Sequence, residues 1–373
     1  MKNTVGVVLA AGLGMRLRPS TEKCPKPLIP VGGVEPLFFA LCKLDEMGIR
    51  RVVVNTHYLS EKITASIQNW KSLLPQLSIR TADEKPEILG TGGAILNIIQ
   101  KNSDWFSAND AGLLLQNGDT LAQFDLSQLI QKKQSNTFAV SYLEDHLKKY
   151  NPLWVDENGL YAGIGKVPKV STHKPAHFLG VHYLSSGAIQ SLLNSDKFPV
   201  KSIDLFNGIY KPLETEGHVF SSVEFFSKAK INSEFWFDMT TQEFLLEAQR
   251  YVLDTLMSSG SWSRVLKRRF PQIQEFSPGV WIESGRTGQK SFDENYVFKS
   301  PVVFVEMPFK GKDLSFAKLT LGPHASVIHE KGSFRSGDPA QPTLEVVNSV
   351  VFSDSLERTD LKEHTISNQI CVL

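Results

Sequence analysis

Between Leu9 and Pro30 the chain reads LAAGLGMRLRPSTEKCPKPLIP, which sets glycines 12 and 14, Arg16 and a proline-bracketed Lys26 close together. Glycines let a backbone come close to a ligand, and successive N–H groups in such a turn form an anion-binding nest. Arg16 offers a planar fork that matches phosphate oxygens. Lys26 is a compact point charge on a segment stiffened by Pro25 and Pro27. Cations presented this way suit a polyphosphate whose negative charge grows during a reaction. A dinucleotide loop fits less well: G-x-G-x-x-G needs a third glycine where the chain has Leu17, and Pro19 is expected to keep a helix from starting there. A carboxylate follows at the end of LLLQNGD, where Asp119 comes after Asn117 and Gly118. Alone, an Asp after Asn-Gly reads as a turn residue. Beside a phosphate clamp it becomes a candidate Mg²⁺ ligand, since that ion is held by one or two carboxylates plus phosphate oxygens.

The elements that must position these groups are readable from their periodicity. TVGVVLAA, IRRVVVNTH and GLLLQNGD read as strands, PLFFALCKLDEMG as a helix closed by Gly48, and LSEKITASIQNWKSLL as a helix with Ser60 at its N-cap. Continuous Val and Leu runs separated by helices predict a parallel sheet covered on both faces. The fold class is therefore α/β: a doubly wound, Rossmann-like domain whose ligands bind beyond the carboxyl ends of the strands. From about Phe138 the pattern becomes mixed, with strand-like TFAVSYL, NPLWVDENGLYAGIG and HFLGVHYLS. Three segments are expected: a catalytic domain over 1–250, a helical linker over 251–274 and a β-rich C-terminal domain over 275–373. In the last, Val351, Leu356, Leu361 and Ile366 recur every five residues, a spacing that fits rungs of a β-solenoid or an ordinary β-sandwich fragment.

Composition narrows the function classes. Forty basic residues against 39 acidic ones, in 373, leave no basic excess for nucleic acid. Cys24, Cys42 and Cys371 lack metal-ligand spacing and fit occasional cytosolic thiols. The apolar run after Met1 is short and is followed by Arg16 and Arg18, so a buried strand is a better reading than a signal peptide. No run of about 18 apolar residues suggests a membrane span. A cytoplasmic protein with no nucleic-acid or membrane partner is expected.

The stretch from Leu9 closely resembles the signature of the sugar-1-phosphate nucleotidyltransferases, L-A-[GA]-G-x-G-[TS]-R-L-x-P-x-T-x3-P-K-P, with Met15 where the family has Thr or Ser. Three further segments fall in the family's order. EKPEILGTGGAI, Glu84 to Ile95, looks like the nucleobase loop. LLLQNGDT carries Asp119 at the family's metal-binding position. EFWFDMTTQEFLLEA resembles the segment that supplies a second metal-binding aspartate, here Asp238, with Thr240 replacing a glycine. The resemblance covers about residues 3 to 250. Where relatives carry E-K-P, this chain has IGKVP, making Lys166 the candidate for the sugar phosphate and placing Gly165 where an acid would stand. FLGVHYL resembles the segment whose backbone, at Gly180, lines the sugar pocket; a glycine easing strand packing is the equal alternative.

The resemblance implies that an NTP and a sugar 1-phosphate give an NDP-sugar and pyrophosphate. Arg16 and Lys26 would be the catalytic cations, and Asp119 and Asp238 would hold Mg²⁺. Leu9, Ala11, Gly12, Gly14, Met15, Glu84 and Gly90 would enclose the nucleotide, and Asn117, Lys166 and Gly180 the sugar phosphate. A carboxylate at Glu84 or Glu87 accepts well from the N1–H and N2–H groups of guanine. LGTGGAI looks most like mannose- or heptose-1-phosphate guanylyltransferases, which favours GTP. LAAG and NTHYLSEKI also resemble the N-acetylmuramate-1-phosphate uridylyltransferases, so UTP stays an alternative, as does a non-catalytic sugar-nucleotide sensor. C-terminal β-domains in relatives support assembly or regulation, which leaves a homo-oligomer open.

Overall fold

The computed structural model describes residues 3–107, 110–131, 135–165, 170–226, 234–256 and 261–277, together with the backbone of the strands from Val280 onward. The chain divides into two compact units that interleave in sequence: Met1–Gly12 with Ala40–Trp236, and Leu13–Phe39 with Phe237–Leu373.

The first unit is built on a mostly parallel sheet. Strands β1 (Val5–Leu9), β2 (Arg51–Thr56), β3 (Ser78–Asp83) and β4 (Leu113–Asn117) lie in the order β4-β1-β2-β3, all parallel. Val5, Val7 and Val8 are fully buried, as are Val52, Val53 and Val54. That burial explains why these strands are continuous apolar runs rather than alternating ones. Beyond β4 the sheet continues with Lys174–Leu184, antiparallel to both of its neighbours, then Asn136–Ser141 and Phe220–Glu224. The mixed texture after Phe138 thus becomes the far half of the same sheet, with the hairpin Leu153–Val155 and Tyr161–Ile164 attached to Lys174–Leu184. Phe138 stacks on Phe220, with ring centroids 5.4 Å apart, inside the main apolar cluster.

Helices Pro36–Glu46, Ser60–Trp70 and Gly90–Lys101 connect the strands. The first ends as expected, with Gly48 at φ +77° donating to Asp45 O at 2.9 Å. The second begins one residue away from the expected cap: Leu59 takes the N-cap position at φ 48° and Ser60 is the first helical residue. Leu9, the last residue of β1, is flanked in register by Asn55 and Asn117. Three parallel carboxyl ends therefore meet, which is where an open α/β sheet holds its ligands.

In the second unit the chain after Gly12 forms a 3₁₀ turn over Met15–Leu17, a helical turn over Ser20–Lys23 and another 3₁₀ turn over Lys26–Leu28. The expectation that Pro19 would prevent a helix is corrected here, because Pro19 sits at the N-cap. Its missing N–H is no loss where the first turn has no intrahelical partner for one. Helix Gln242–Tyr251 is capped by Thr241, whose hydroxyl accepts from Phe244 N at 3.3 Å. Helix Ser261–Arg269 docks on the 32–39 segment: Trp262 Nε1 donates to Gly32 O at 3.0 Å, Trp262 stacks on Phe39, and Arg269 pairs with buried Glu35 at 2.8 and 2.9 Å. Further on, Val280–Ser284, Val302–Glu306, Ala325–His329, Val350–Ser353 and Ile370–Val372 pair in parallel, in chain order. A second parallel stack runs Tyr296–Phe298, Lys318–Leu321, Thr343–Val347, Thr365–Ser367. Val302 faces Val280, Ala325 faces Val302 and Ile370 faces Val350, so each coil takes 20 residues or slightly more. The region is solenoid-like, but its period is the coil and not the five-residue spacing: Val351 and Ile366 fall in different stacks, and Leu356 and Leu361 lie outside the described residues. None of the described helices is long and apolar enough to cross a membrane.

Candidate active site

The carboxyl ends of β1, β2 and β4 frame a cleft of about 220 Å³ lined by Leu9, Ala11, Gly12, Asn55, Glu84, Ile88, Gly90, Thr91, Ala94, Asn117 and Asp119. Six of the residues picked from sequence for the nucleotide or the metal (Leu9, Ala11, Gly12, Glu84, Gly90 and Asp119) are therefore brought together. Gly118 makes the crossing from β4 possible. Its N–H donates to Leu9 O at 2.8 Å, and a Cβ there would stand 2.8 Å from the same carbonyl. That close approach delivers Asp119, half-buried, to the cleft wall.

Glu84 and Glu87 differ sharply. Glu87 is exposed, whereas Glu84 is 3% exposed with both carboxylate oxygens engaged. Oε1 accepts from Asn55 Nδ2 at 2.6 Å and Oε2 from Leu89 N at 2.9 Å. Asn55 Oδ1 in turn accepts from Ala10 N at 2.6 Å. Asn55 was not foreseen as a site residue; a polar residue ending an otherwise apolar strand, in VVVNTH, was the available signal.

A second cleft, about 510 Å³, shares Gly90, Thr91 and Asn117 with the first and is completed by Phe178, Gly180, His182 and Ser202–Phe206. Gly180 has φ +72° in mid-strand, and a Cβ there would lie 2.6 Å from Asn117 Nδ2. The glycine thus both supplies the left-handed residue and makes room for the Asn117 amide, so these two predicted sugar-site residues are neighbours. Lys166, the third, lies outside the described residues. The wall at Ser202, Ile203 and Asp204 carried no recognisable motif and was missed. It is held by the glycine run: Gly92 N and Gly93 N donate to Ile203 O at 3.1 and 3.4 Å, and Ile203 N donates to Leu89 O at 3.1 Å. His182, fully buried, has its pKa lowered to about 3 by desolvation, so its ring is neutral; Nε2 meets Tyr210 Oη at 2.8 Å.

In the second unit, Gly14 at φ 63° and ψ 25° caps the turn that carries Arg16, with Leu17 N and Thr21 Oγ1 both donating to its carbonyl. Arg16 is exposed and Met15 is 53% exposed. Lys26 is 9% exposed, and its ammonium lies 3.8 Å from Asp238 Oδ1, so the predicted phosphate cation and the second predicted metal carboxylate form an ion pair. Among the described residues, no three His, Cys, Asp or Glu side chains gather as a metal cluster. The candidate donors are single carboxylates, a set that suits Mg²⁺ sharing its shell with phosphate oxygens and water rather than a caged ion.

A family model described as nucleotidyl transferase matches residues 5–254. A mannose-1-phosphate guanylyltransferase of Mycobacterium tuberculosis is 37% identical over 130 residues, 35% of this chain and 34% of that protein, so the match spans about a third of its length. A D-glycero-alpha-D-manno-heptose 1-phosphate guanylyltransferase of Campylobacter jejuni is 28% identical over 214 residues, 57% of this chain and 90% of that one. Among solved structures, a Bacillus anthracis protein assigned as a glucose-1-phosphate thymidylyltransferase superposes with a TM-score of 0.53 at 18% identity, over 67% of this chain and 96% of the other. At that identity the likeness speaks for the fold.

Proposed function

The chain belongs to the nucleotidyl transferase family, and we propose that it joins a nucleoside triphosphate to a sugar 1-phosphate, releasing pyrophosphate. The observation that carries this reading is the pair of clefts sharing Gly90, Thr91 and Asn117 at the carboxyl ends of the sheet. The smaller one suits the nucleoside, and the larger, with Asp204, Ser202 and the Asn117 amide, suits a polyhydroxylated sugar. A phosphate oxygen of the sugar 1-phosphate attacks the α-phosphorus, a new P–O bond forms, and the bond to the β-phosphate oxygen breaks with its electron pair leaving on pyrophosphate. The nucleophile is already an anion, so no general base is required, and catalysis rests on alignment and charge neutralisation.

On the sequence pattern, Arg16 and Lys26 supply cationic charge to the phosphates. The same pattern makes Asp119 and Asp238 the proposed Mg²⁺ ligands. Bound there, Mg²⁺ would neutralise phosphate charge and polarise the α-phosphate. GTP is the favoured nucleotide and a manno-configured sugar 1-phosphate the favoured acceptor, supported by the names of the Mycobacterium and Campylobacter relatives. A pyrophosphate-release assay over ATP, GTP, CTP and UTP, each against mannose, glucose, heptose and N-acetylmuramate 1-phosphates, tests this. The expected result is fastest release with GTP and mannose or heptose 1-phosphate. Thermal stabilisation by an NDP-sugar with no release from any pair would instead mark a sensor and overturn the proposal.

A further inference from the structure

We infer that Asn55 and Glu84 are positioning residues that lock the glycine loop to the nucleobase loop, and that Glu84 does not itself read the base. The inference rests on the nucleotidyl-transfer reading for what the two loops hold, but its geometry stands alone. Ala10 N donates to Asn55 Oδ1 at 2.6 Å, Asn55 Nδ2 donates to Glu84 Oε1 at 2.6 Å, and Leu89 N donates to Glu84 Oε2 at 2.9 Å. The relay therefore runs from the residue after β1, across β2, to the residue before Gly90, and both side chains are 3% exposed.

The orientation of the Asn55 amide is forced. Its oxygen must face a main-chain N–H and its nitrogen must face a carboxylate, so neither end tolerates a flip. Buried and satisfied, such a network fixes distance, and one mismatched member leaves a buried group unpaired. Both Glu84 oxygens already serve protein donors. Glu84 lines the cleft with both oxygens taken, so base selection passes to the main chain at Ile88 and Gly90, which line the same cleft and flank Leu89, whose N–H Glu84 holds.

This logic permits an exchange experiment. In Glu84→Gln, one of the two donors facing that side chain meets an NH₂ group. In Asn55→Asp, two carboxylates face each other. In the double variant, the carboxylate at position 55 accepts from Ala10 N and from the amide at position 84, whose oxygen accepts from Leu89 N, so every bond is restored with the charge moved across. Amide hydrogen exchange at Ala10 and Leu89 and steady-state kinetics with the four NTPs should be measured on the wild type and all three variants. Each single substitution is expected to speed exchange at both amides and raise the nucleotide KM about tenfold, with a smaller effect on kcat. The double should return within about threefold of the wild type, and the GTP-to-UTP preference should hold throughout. If Glu84→Gln changes that preference while both amides stay protected, Glu84 reads the base and the inference is wrong. It is equally wrong if the double variant exchanges as fast as the singles, or if it fails to fold. Were the wild type to release no pyrophosphate, the exchange measurements would still decide the relay, separating its fate from that of the proposed reaction.

Discussion

Replacing Gly93 with alanine sets two effects of opposite sign against each other. Gly93 lies inside helix Gly90–Lys101, where alanine normally gains about 1 kcal/mol over glycine. Here, however, a Cβ would stand 2.2 Å from Lys201 O and 3.0 Å from Leu89 Cβ. Ordinary contact begins near 3.4 Å, so the 201–204 segment must retreat by roughly 1 Å or the helix must tilt. Either shift strains the three main-chain bonds that join Gly92, Gly93 and Leu89 to Ile203. Each is worth about 0.5–1.5 kcal/mol, and losing all three outweighs the propensity gain, for a net loss of roughly 0.5–3.5 kcal/mol. Because Ser202–Phe206 line the larger cleft, the same shift should raise the sugar 1-phosphate KM about tenfold with less effect on the NTP KM. Thermal unfolding and initial rates of pyrophosphate release on Gly93→Ala measure both. A variant at least as stable as the wild type, with an unchanged sugar-phosphate KM, would show that helix propensity wins and that the segment does not form a rigid wall.

Two further outcomes are expected. Lys26→Met keeps most of the buried stem while removing the charge, and should lower kcat about 100-fold with at most a few degrees' change in Tm; near-normal turnover would remove Lys26 from the catalytic cations. Desolvation, with some repulsion from His146, lowers the pKa of His177 to about 3, and burial lowers that of His182 to about 3 as well, from 6.5. The folded state holds both neutral while the unfolded chain protonates them below 6.5, so stability falls as pH drops from 6.5 towards 3, by about 1.4 kcal/mol per pH unit for each fully neutral group. His177 stacks on Tyr150 at 4.3 Å, a role phenylalanine can fill, so His177→Phe should lose less Tm between pH 7 and pH 5 than the wild type does. Equal losses would refute the assignment.

The parallel sheet was legible because strands buried on both faces must be apolar throughout, and Val5–Leu9, Arg51–Thr56 and Leu113–Asn117 appear where such runs stand. The ends of β1 and β4 were legible for the same reason, since a polar or glycine residue directly after an apolar run marks where the chain leaves the sheet, whereas Asn55, near the end of β2, carried the same signal and was passed over. What could not be read is which atoms each group faces. Ser60 looked like a cap, yet Leu59 takes the left-handed turn that starts that helix. Helix Ser261–Arg269 looked like a linker because its Ser, Lys and Arg content is polar and Gly260 precedes it, whereas Trp262, Leu266 and Phe270 are buried and Arg269 is neutralised by Glu35. The partner of that arginine lies more than 200 residues away in sequence. No local pattern announces it.

The glycines of the two motifs show why residue type alone under-determines a site. Glycines 12 and 14 were read as letting backbone approach a ligand and Gly90 as enclosing the nucleotide, but the protein itself fills the space at most of the motif glycines. A side chain at Gly90, Gly92 or Gly93 would strike carbonyls of Ile203, Asp204 or Lys201, and one at Gly14 would strike Thr21. Those glycines are required by packing. At Gly12 a Cβ would meet nothing within 4 Å, its φ is not in the left-handed range, and yet it lines the smaller cleft. Neither packing nor backbone strain explains a glycine there. On the proposed reaction, close approach of a bound nucleotide would explain it, which assigns the ligand-facing turn of the loop to Gly12 and leaves Gly14 to set the direction of the chain that carries Arg16.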